Sequence, residues 1–172
     1  MRTTCCRLLG IGLLLLFASS SADSKAELSR LFLSGGSLPR PVEVTDAGLL
    51  RASNPWFGTF LPQWNRAPHE RVVPPPDGAP RYEITFYATF SPEKPPHVIY
   101  VAYYAYDPTT HRGYVYLPGH TSHGRPLDGH NDQWYDTNAS TILRPDQDGR
   151  WNLADPAWCD QINAILARSE AQ

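Results

Sequence analysis

The densest group of side chains able to do chemistry runs from His120 to Asp132, where His120, His123 and His130 lie with Asp128 and Asp132 in a single polar loop. Imidazole nitrogens and carboxylate oxygens are the donor types that zinc and copper take. The first two histidines are three apart, but Gly119, Gly124, Pro126 and Gly129 interrupt the segment, so no helix fixes their spacing. A solvated loop is the ordinary state of such a stretch. No cofactor is therefore expected; if a metal is held, it is held by these five residues.

A second set centres on Cys159. Asp155-Pro156 reads as a helix N-cap followed by proline in its preferred first helical position, which places Cys159 in the first turns, where free amides lower a thiol pKa. His97 opens a strand-forming run and His111 lies in the following turn, so either could act as a base. A strand histidine followed later by a helix-start cysteine resembles the permuted NlpC/P60 cysteine hydrolases, and that resemblance implies a Cys159–His97 nucleophile–base pair. It covers two residue types and their order. Cys159 departs from it by lying three and seven residues before Ile162 and Leu166, on the helix's apolar side, as a packed structural thiol would.

Aromatic side chains form the third set, with nine Tyr and five Trp in the chain. Rings that are covered build the core, and rings that are exposed anchor partners at low entropic cost. Trp56, Phe57 and Trp64 are the candidates for a ligand-binding platform, because they occupy an irregular, proline-flanked segment. Asn138-Ala139-Ser140 matches a glycosylation acceptor in a eukaryotic source. Glycine-rich phosphate loops, paired-cysteine zinc patterns and serine nucleophile elbows do not occur.

The elements that must position these groups follow from periodicity. Ser24 and Glu27 have capping-box spacing, and Leu28, Leu31 and Phe32 would give the ensuing helix an apolar side, ended by Gly35-Gly36. Residues 38–80 are proline-rich and irregular, with a short strand at 41–44 and a helical turn at 46–52. From Arg81 to Phe90 the pattern alternates, with Tyr82, Ile84, Phe86, Ala88 and Phe90 on one face. The β-prone run from His97 to Tyr106 belongs at a sheet's centre, and Asp107 to Gly113 turns it into an antiparallel partner strand. Residues 134–143 and 151–153 read as further strands. In the closing helix, 155–168, Trp158, Ile162, Ile165 and Leu166 share one face.

Arg2 and Arg7, the uncharged run from Leu8 to Phe17 and the small residues through Ala22 read as a cleavable signal over residues 1–22. Cleavage removes two of 15 basic residues and no acidic ones, leaving 13 against 17 and a single cysteine, Cys159. Mild acidity with scattered Arg excludes a nucleic-acid footprint, and no membrane span is expected after cleavage. The expected architecture is a single α+β domain over residues 23–172. It has a mostly antiparallel sheet of four to five strands within 81–153, flanked by an amino-terminal and a carboxy-terminal helix. The expected function is a secreted or periplasmic, non-enzymatic module binding a protein or cell-envelope ligand, as an inhibitor or accessory factor. The alternative is a hydrolase using the metal loop or Cys159 with His97.

Overall fold

Alternation in the middle of the chain builds the sheet. In the computed structural model, which describes residues 27–61, 74–91, 93–119 and 133–171, strand β3 (Arg81–Ala88) buries Tyr82, Ile84, Phe86 and Ala88 on one face. Strand β4 (His97–Asp107) pairs with it antiparallel and is buried continuously from Ile99 to Ala105. Strand β5 (Arg112–Leu117) returns beside β4 across a turn in which the Asp107 carboxylate accepts hydrogen bonds from the Thr109 amide at 2.9 Å and the Thr110 hydroxyl at 2.6 Å. Strand β6 (Arg150–Leu153) pairs with β5. On the other side, β1 (Leu28–Gly35) pairs with β3 and with β2 (Val42–Val44). The result is a six-stranded antiparallel sheet in the order β2-β1-β3-β4-β5-β6.

Among the described residues three helices complete the α+β architecture: α1 (Ala47–Ser53), α2 (Gln133–Thr141) and α3 (Pro156–Glu170). Both α1 and α3 start on an aspartate whose side chain accepts the amide three residues on, Asp46 from Leu49 and Asp155 from Trp158. These bonds satisfy first-turn amides that no intrahelical carbonyl can reach. Helix α3 lays Trp158, Cys159, Ile162 and Leu166 on the main core. Its Trp158 indole donates to the Ser53 hydroxyl of α1 at 2.8 Å. Around it Phe60, Phe86, Tyr100, Tyr104 and Trp158 pack ring against ring, at tilted or edge-on angles that suit the aromatic quadrupole. A second cluster of Tyr103, Ala105, Tyr114, Tyr116 and Trp151 covers the opposite face of β4–β6.

Several expectations from the sequence are corrected. Residues 28–35 are strand, not helix: the pairing of β1 with β3 shifts register between Leu28 and Arg30, so Leu28 and Leu31, three apart, both reach the core. A β-bulge thus produces a spacing that reads as helical. Phe32, assigned to the apolar side of that helix, turns to the other face and meets Tyr87. Phe90 lies past the end of β3 and is 58% exposed, its ring stacked on His97. The sheet accordingly has six strands rather than four or five, and residues 28–35 contribute a strand to it instead of an amino-terminal helix flanking it.

Residues 134–141 of the expected strand 134–143 are likewise helical rather than extended. Trp134, Asn138 and Thr141 fall on one face of α2, and its polar members replace a missing strand. Strand β4 is longer than β5, whose pairing reaches only to Tyr103, so Ile99 and Val101 would present unpaired backbone groups on that side. The Asn138 carboxamide accepts from the Val101 amide and donates to the Val101 carbonyl, both at 2.8 Å, and the Thr141 hydroxyl donates to the Ile99 carbonyl at 2.5 Å. Asn138 is 2% exposed, so its side chain is occupied as a peptide mimic and is not presented for glycosylation.

Leaving buried donors or acceptors unpaired costs on the order of 1–3 kcal/mol each. Asn138→Leu should therefore lower stability by about 2–4 kcal/mol, read as a shift of the urea unfolding midpoint at unchanged m-value.

Candidate ligand-binding cleft

Two tight turns face one another beside the main core. The first begins at Asn54, whose side-chain oxygen accepts the Trp56 amide at 2.9 Å while its carbonyl accepts the Gly58 amide at 2.7 Å. A Cβ at position 58 would lie 2.4 Å from the Ala52 carbonyl oxygen and 2.5 Å from the Asn54 nitrogen, so only glycine lets the chain fold back this closely. The Trp56 indole donates to the Thr141 carbonyl at 3.0 Å, fastening this turn to the end of α2. The second turn runs from Arg144 to Asp148. The Arg144 amide donates to the Asp148 carboxylate at 2.9 Å, and the Asp148 amide returns to the Arg144 carbonyl at 2.8 Å.

Between the two turns lies a cleft of about 500 Å³ whose walls include Trp56, Phe57, Leu61, Leu143, Arg144 and Asp146. Phe57 and Leu143 are each 55% exposed beside it, two of the three large apolar side chains so exposed among the described residues. Arg144 joins the walls. Its guanidinium donates to the Pro55 carbonyl across the cleft and to the Gln147 side chain at 3.3 Å, and it lies 5.6 Å from the Phe60 ring centroid.

Behind Arg144 the polar groups are not fully paired. Four buried side-chain polar atoms lack a hydrogen-bond partner among the described residues, and three of them are Arg144 Nε, Tyr100 Oη and Asp148 Oδ1. These three belong together. Burial raises the Tyr100 phenol well above its ordinary range; the Arg144 guanidinium, through its charge and its hydrogen-bonding contact with the phenol, works against that shift, and the Asp148 charge reinforces it. Burial also lifts the Asp148 carboxyl from 3.8 to about 6, opposed by the Arg144 amide and the Arg144 charge. A neutral carboxylic acid is a donor and an ionised one is only an acceptor, so this group changes hydrogen-bonding character close to neutral pH.

Trp56 and Phe57 of the expected platform therefore line a real concavity, Trp56 half-buried and Phe57 exposed. Trp64 and the candidate metal ligands His120, His123, Asp128, His130 and Asp132 lie outside the described residues. Cys159 is 3% exposed, and its thiol is bonded to the Tyr104 hydroxyl at 2.9 Å and the Asn163 amide at 3.4 Å. Burial pushes the thiol pKa up, so the lowering expected from the helix start is reversed. His97 is exposed at the far end of β4, seven residues from Tyr104 or roughly 23 Å of strand. The His111 ring bonds to the Tyr106 hydroxyl at 3.1 Å. The structure thus brings neither histidine into hydrogen bonding with the thiol. Sequence reasoning missed Tyr100, Arg144 and Asp148; the charges Arg144, Asp146 and Asp148 in a turn between apolar segments were the available signal.

Comparison with models of protein families, with curated proteins and with solved structures finds no match.

Two measurements follow from this geometry. Because the folded-state value of Asp148 lies above the unfolded one, its contribution to stability is full below about pH 4 and is lost as pH rises through about 6. Allowing for its partial exposure, the loss should be about 1–2 kcal/mol. Asp148→Asn should abolish that component and be the more stable protein at pH 7 in urea titrations. At Gly113 a Cβ would stand 2.6 Å from the Cys159 sulfur. Gly113→Ala should cost about 1–3 kcal/mol, and adding Cys159→Ala should recover part of it. Strict additivity in that double-mutant cycle would mean the contact is absent.

Proposed function

We propose that this chain is an exported, non-enzymatic binding module whose ligand is a protein, engaged through an apolar side chain seated between Phe57 and Leu143. What supports the reading is the cleft: a concavity within the size range of ligand sites, with exposed apolar side chains beside it and a single cation on its wall. Exposed aromatic and aliphatic anchors around a pocket are the usual centre of binding energy in protein recognition. The cysteine-hydrolase alternative would need a nucleophile held against a base, and the Cys159 thiol is bonded instead to a phenol and an amide with its pKa raised. Export and a cell-envelope or extracellular destination belong to the same proposal and rest on the apolar leader at residues 8–17.

Selection from a displayed random-peptide library tests the binding reading. Enriched peptides should share a large apolar residue, and the double variant Phe57→Ser with Leu143→Ser should weaken them at least tenfold while leaving the circular dichroism spectrum unchanged. Failure to enrich any sequence, or enrichment indifferent to the double variant, would remove the cleft as the binding site.

A further inference from the structure

Three large apolar side chains stand out from the surface among the described residues: Phe57 and Leu143 at 55% exposure and Phe90 at 58%. The first two flank the cleft, whereas the third is a projection. Phe90 follows the last pair of the β3–β4 ladder, Ala88 with His97, and its ring is stacked 4.8 Å from the His97 ring at 17°. The turn beyond it is closed by the Lys94 amide donating to the Ser91 carbonyl at 3.1 Å. Single exposed apolar residues are common on monomers. A ring already held by a stack, however, has little rotamer freedom left to lose on binding, as an anchor requires.

Projection and cleft lie at one end of the sheet. His97 begins β4, and two residues on, roughly 7 Å along the strand, the Ile99 carbonyl accepts the Thr141 hydroxyl. The carbonyl of that same threonine receives the indole of Trp56, which lines the cleft. Phe90 does not join the walls of its own cleft. A projection and a concavity at the same end of a chain are satisfied together by a two-fold axis, each copy giving its ring and receiving its partner's. The charges around the two features are complementary. Glu93 and Lys94 are exposed beside the projection, and Arg144 and the exposed Asp146 stand on the cleft wall, so Glu93 can meet Arg144 while Lys94 meets Asp146.

Resting on the reading of the cleft as a protein-binding site, we propose that its occupant is a second copy of this chain. In the dimer, Phe90 of each protomer sits between Phe57 and Leu143 of its partner, and the cleft of about 500 Å³ admits the phenyl ring. Each contact covers two rings and a leucine that are about half exposed in the single chain. At roughly 100 Å² a side chain the two contacts remove roughly 600 Å² of apolar surface. Stable interfaces remove about 1,200–2,000 Å² in all. The dimer is therefore weak and concentration-dependent, with a dissociation constant in the micromolar range or above.

Sedimentation equilibrium on the mature chain from roughly 5 to 500 µM spans such a constant. The weight-average mass should climb with concentration and level off at twice that of the chain. Phe90→Ser and Leu143→Ser should each weaken dimerisation at least tenfold with an unchanged circular dichroism spectrum. Mixed together, these two variants should associate more tightly than either alone, because one keeps an intact cleft and the other an intact Phe90. Lys94→Glu should also weaken the dimer, and adding Asp146→Lys should restore it. A mass that grows past the dimer, or a dimer indifferent to Phe90→Ser, would overturn the exchange. If the chain stays monomeric throughout while peptides selected against it still depend on Phe57 and Leu143, the cleft reading stands and the second copy falls as its occupant. If the peptides fail as well, both fall.

Discussion

The exposed side of β4 is the constraint on which the rest of this structure depends. Its carboxy-terminal half is sandwiched between β3 and β5, but its amino-terminal half has β3 alone, because β5 ends early. Backbone groups in a strand that is buried on both faces must be paired, since the alternative is the desolvation cost of each orphan. Asn138 and Thr141 meet that requirement from α2, whose 3.6-residue period brings positions 138 and 141 onto one face. Once α2 is docked in this way its last carbonyl, that of Thr141, is placed to receive the Trp56 indole. The turn that follows α2 is then held opposite the turn at residues 54–58. The cleft is a consequence of how one strand edge is satisfied.

The parts of the fold written in local patterns were legible in the sequence. Alternation in β3, the unbroken β-prone run of β4, the turn chemistry at Asp107 and the Asp-Pro start of α3 each report a physical requirement confined to a few residues. The two elements that were misread report requirements that are not local. In β1 a bulge changes which residues face inward, and the sequence on either side of a bulge carries no mark of it. In α2 the β-prone Trp134, Tyr135, Thr137 and Thr141 outweigh any helical signal in propensity, yet tertiary hydrogen bonds to β4 decide the outcome. The site divides the same way. Trp56 and Phe57 stood out as apolar residues in an irregular segment, whereas Tyr100 was one ring among many in a strand, and only the closed structure sets it against Arg144 and Asp148.

Aromatic residues reach the same end by a different route on each face of the sheet. On the face covered by α1 and α3 they form a continuous packed layer with Phe60 and Trp158, and Cys159 fills the space above Gly113 that a larger side chain would overfill. The thiol's contacts with Tyr104 and Asn163 explain why a cysteine at a helix start is not activated here: it is surrounded before the helix dipole can act on it, and desolvation of the thiolate exceeds the stabilisation that exposed amides could give. On the opposite face Tyr103, Tyr116 and Trp151 pack tilted against one another. A core built from rings rather than aliphatic chains places hydroxyls at fixed points in the interior, and most of these are tied off, as Tyr82 is by Glu170 at 2.8 Å and Tyr104 is by Asn163 at 2.8 Å.

Tyr100 breaks that pattern, and the comparison gives the polar cluster its meaning. Phenylalanine at position 100 would fill nearly the same volume without a hydroxyl to satisfy, and Phe86 beside it shows that the layer accommodates phenylalanine. Net stabilities of small domains are of order 5–15 kcal/mol, so three underpaired atoms at roughly 1–3 kcal/mol each are not a negligible load. Stability alone would favour replacing them. Two of the Arg144 nitrogens hold the two turns together through Pro55 and Gln147, and its charge opposes the burial shifts of Tyr100 and Asp148 behind it, so the arginine that forms part of the cleft wall also moderates the cost of the phenol and carboxyl buried beneath it.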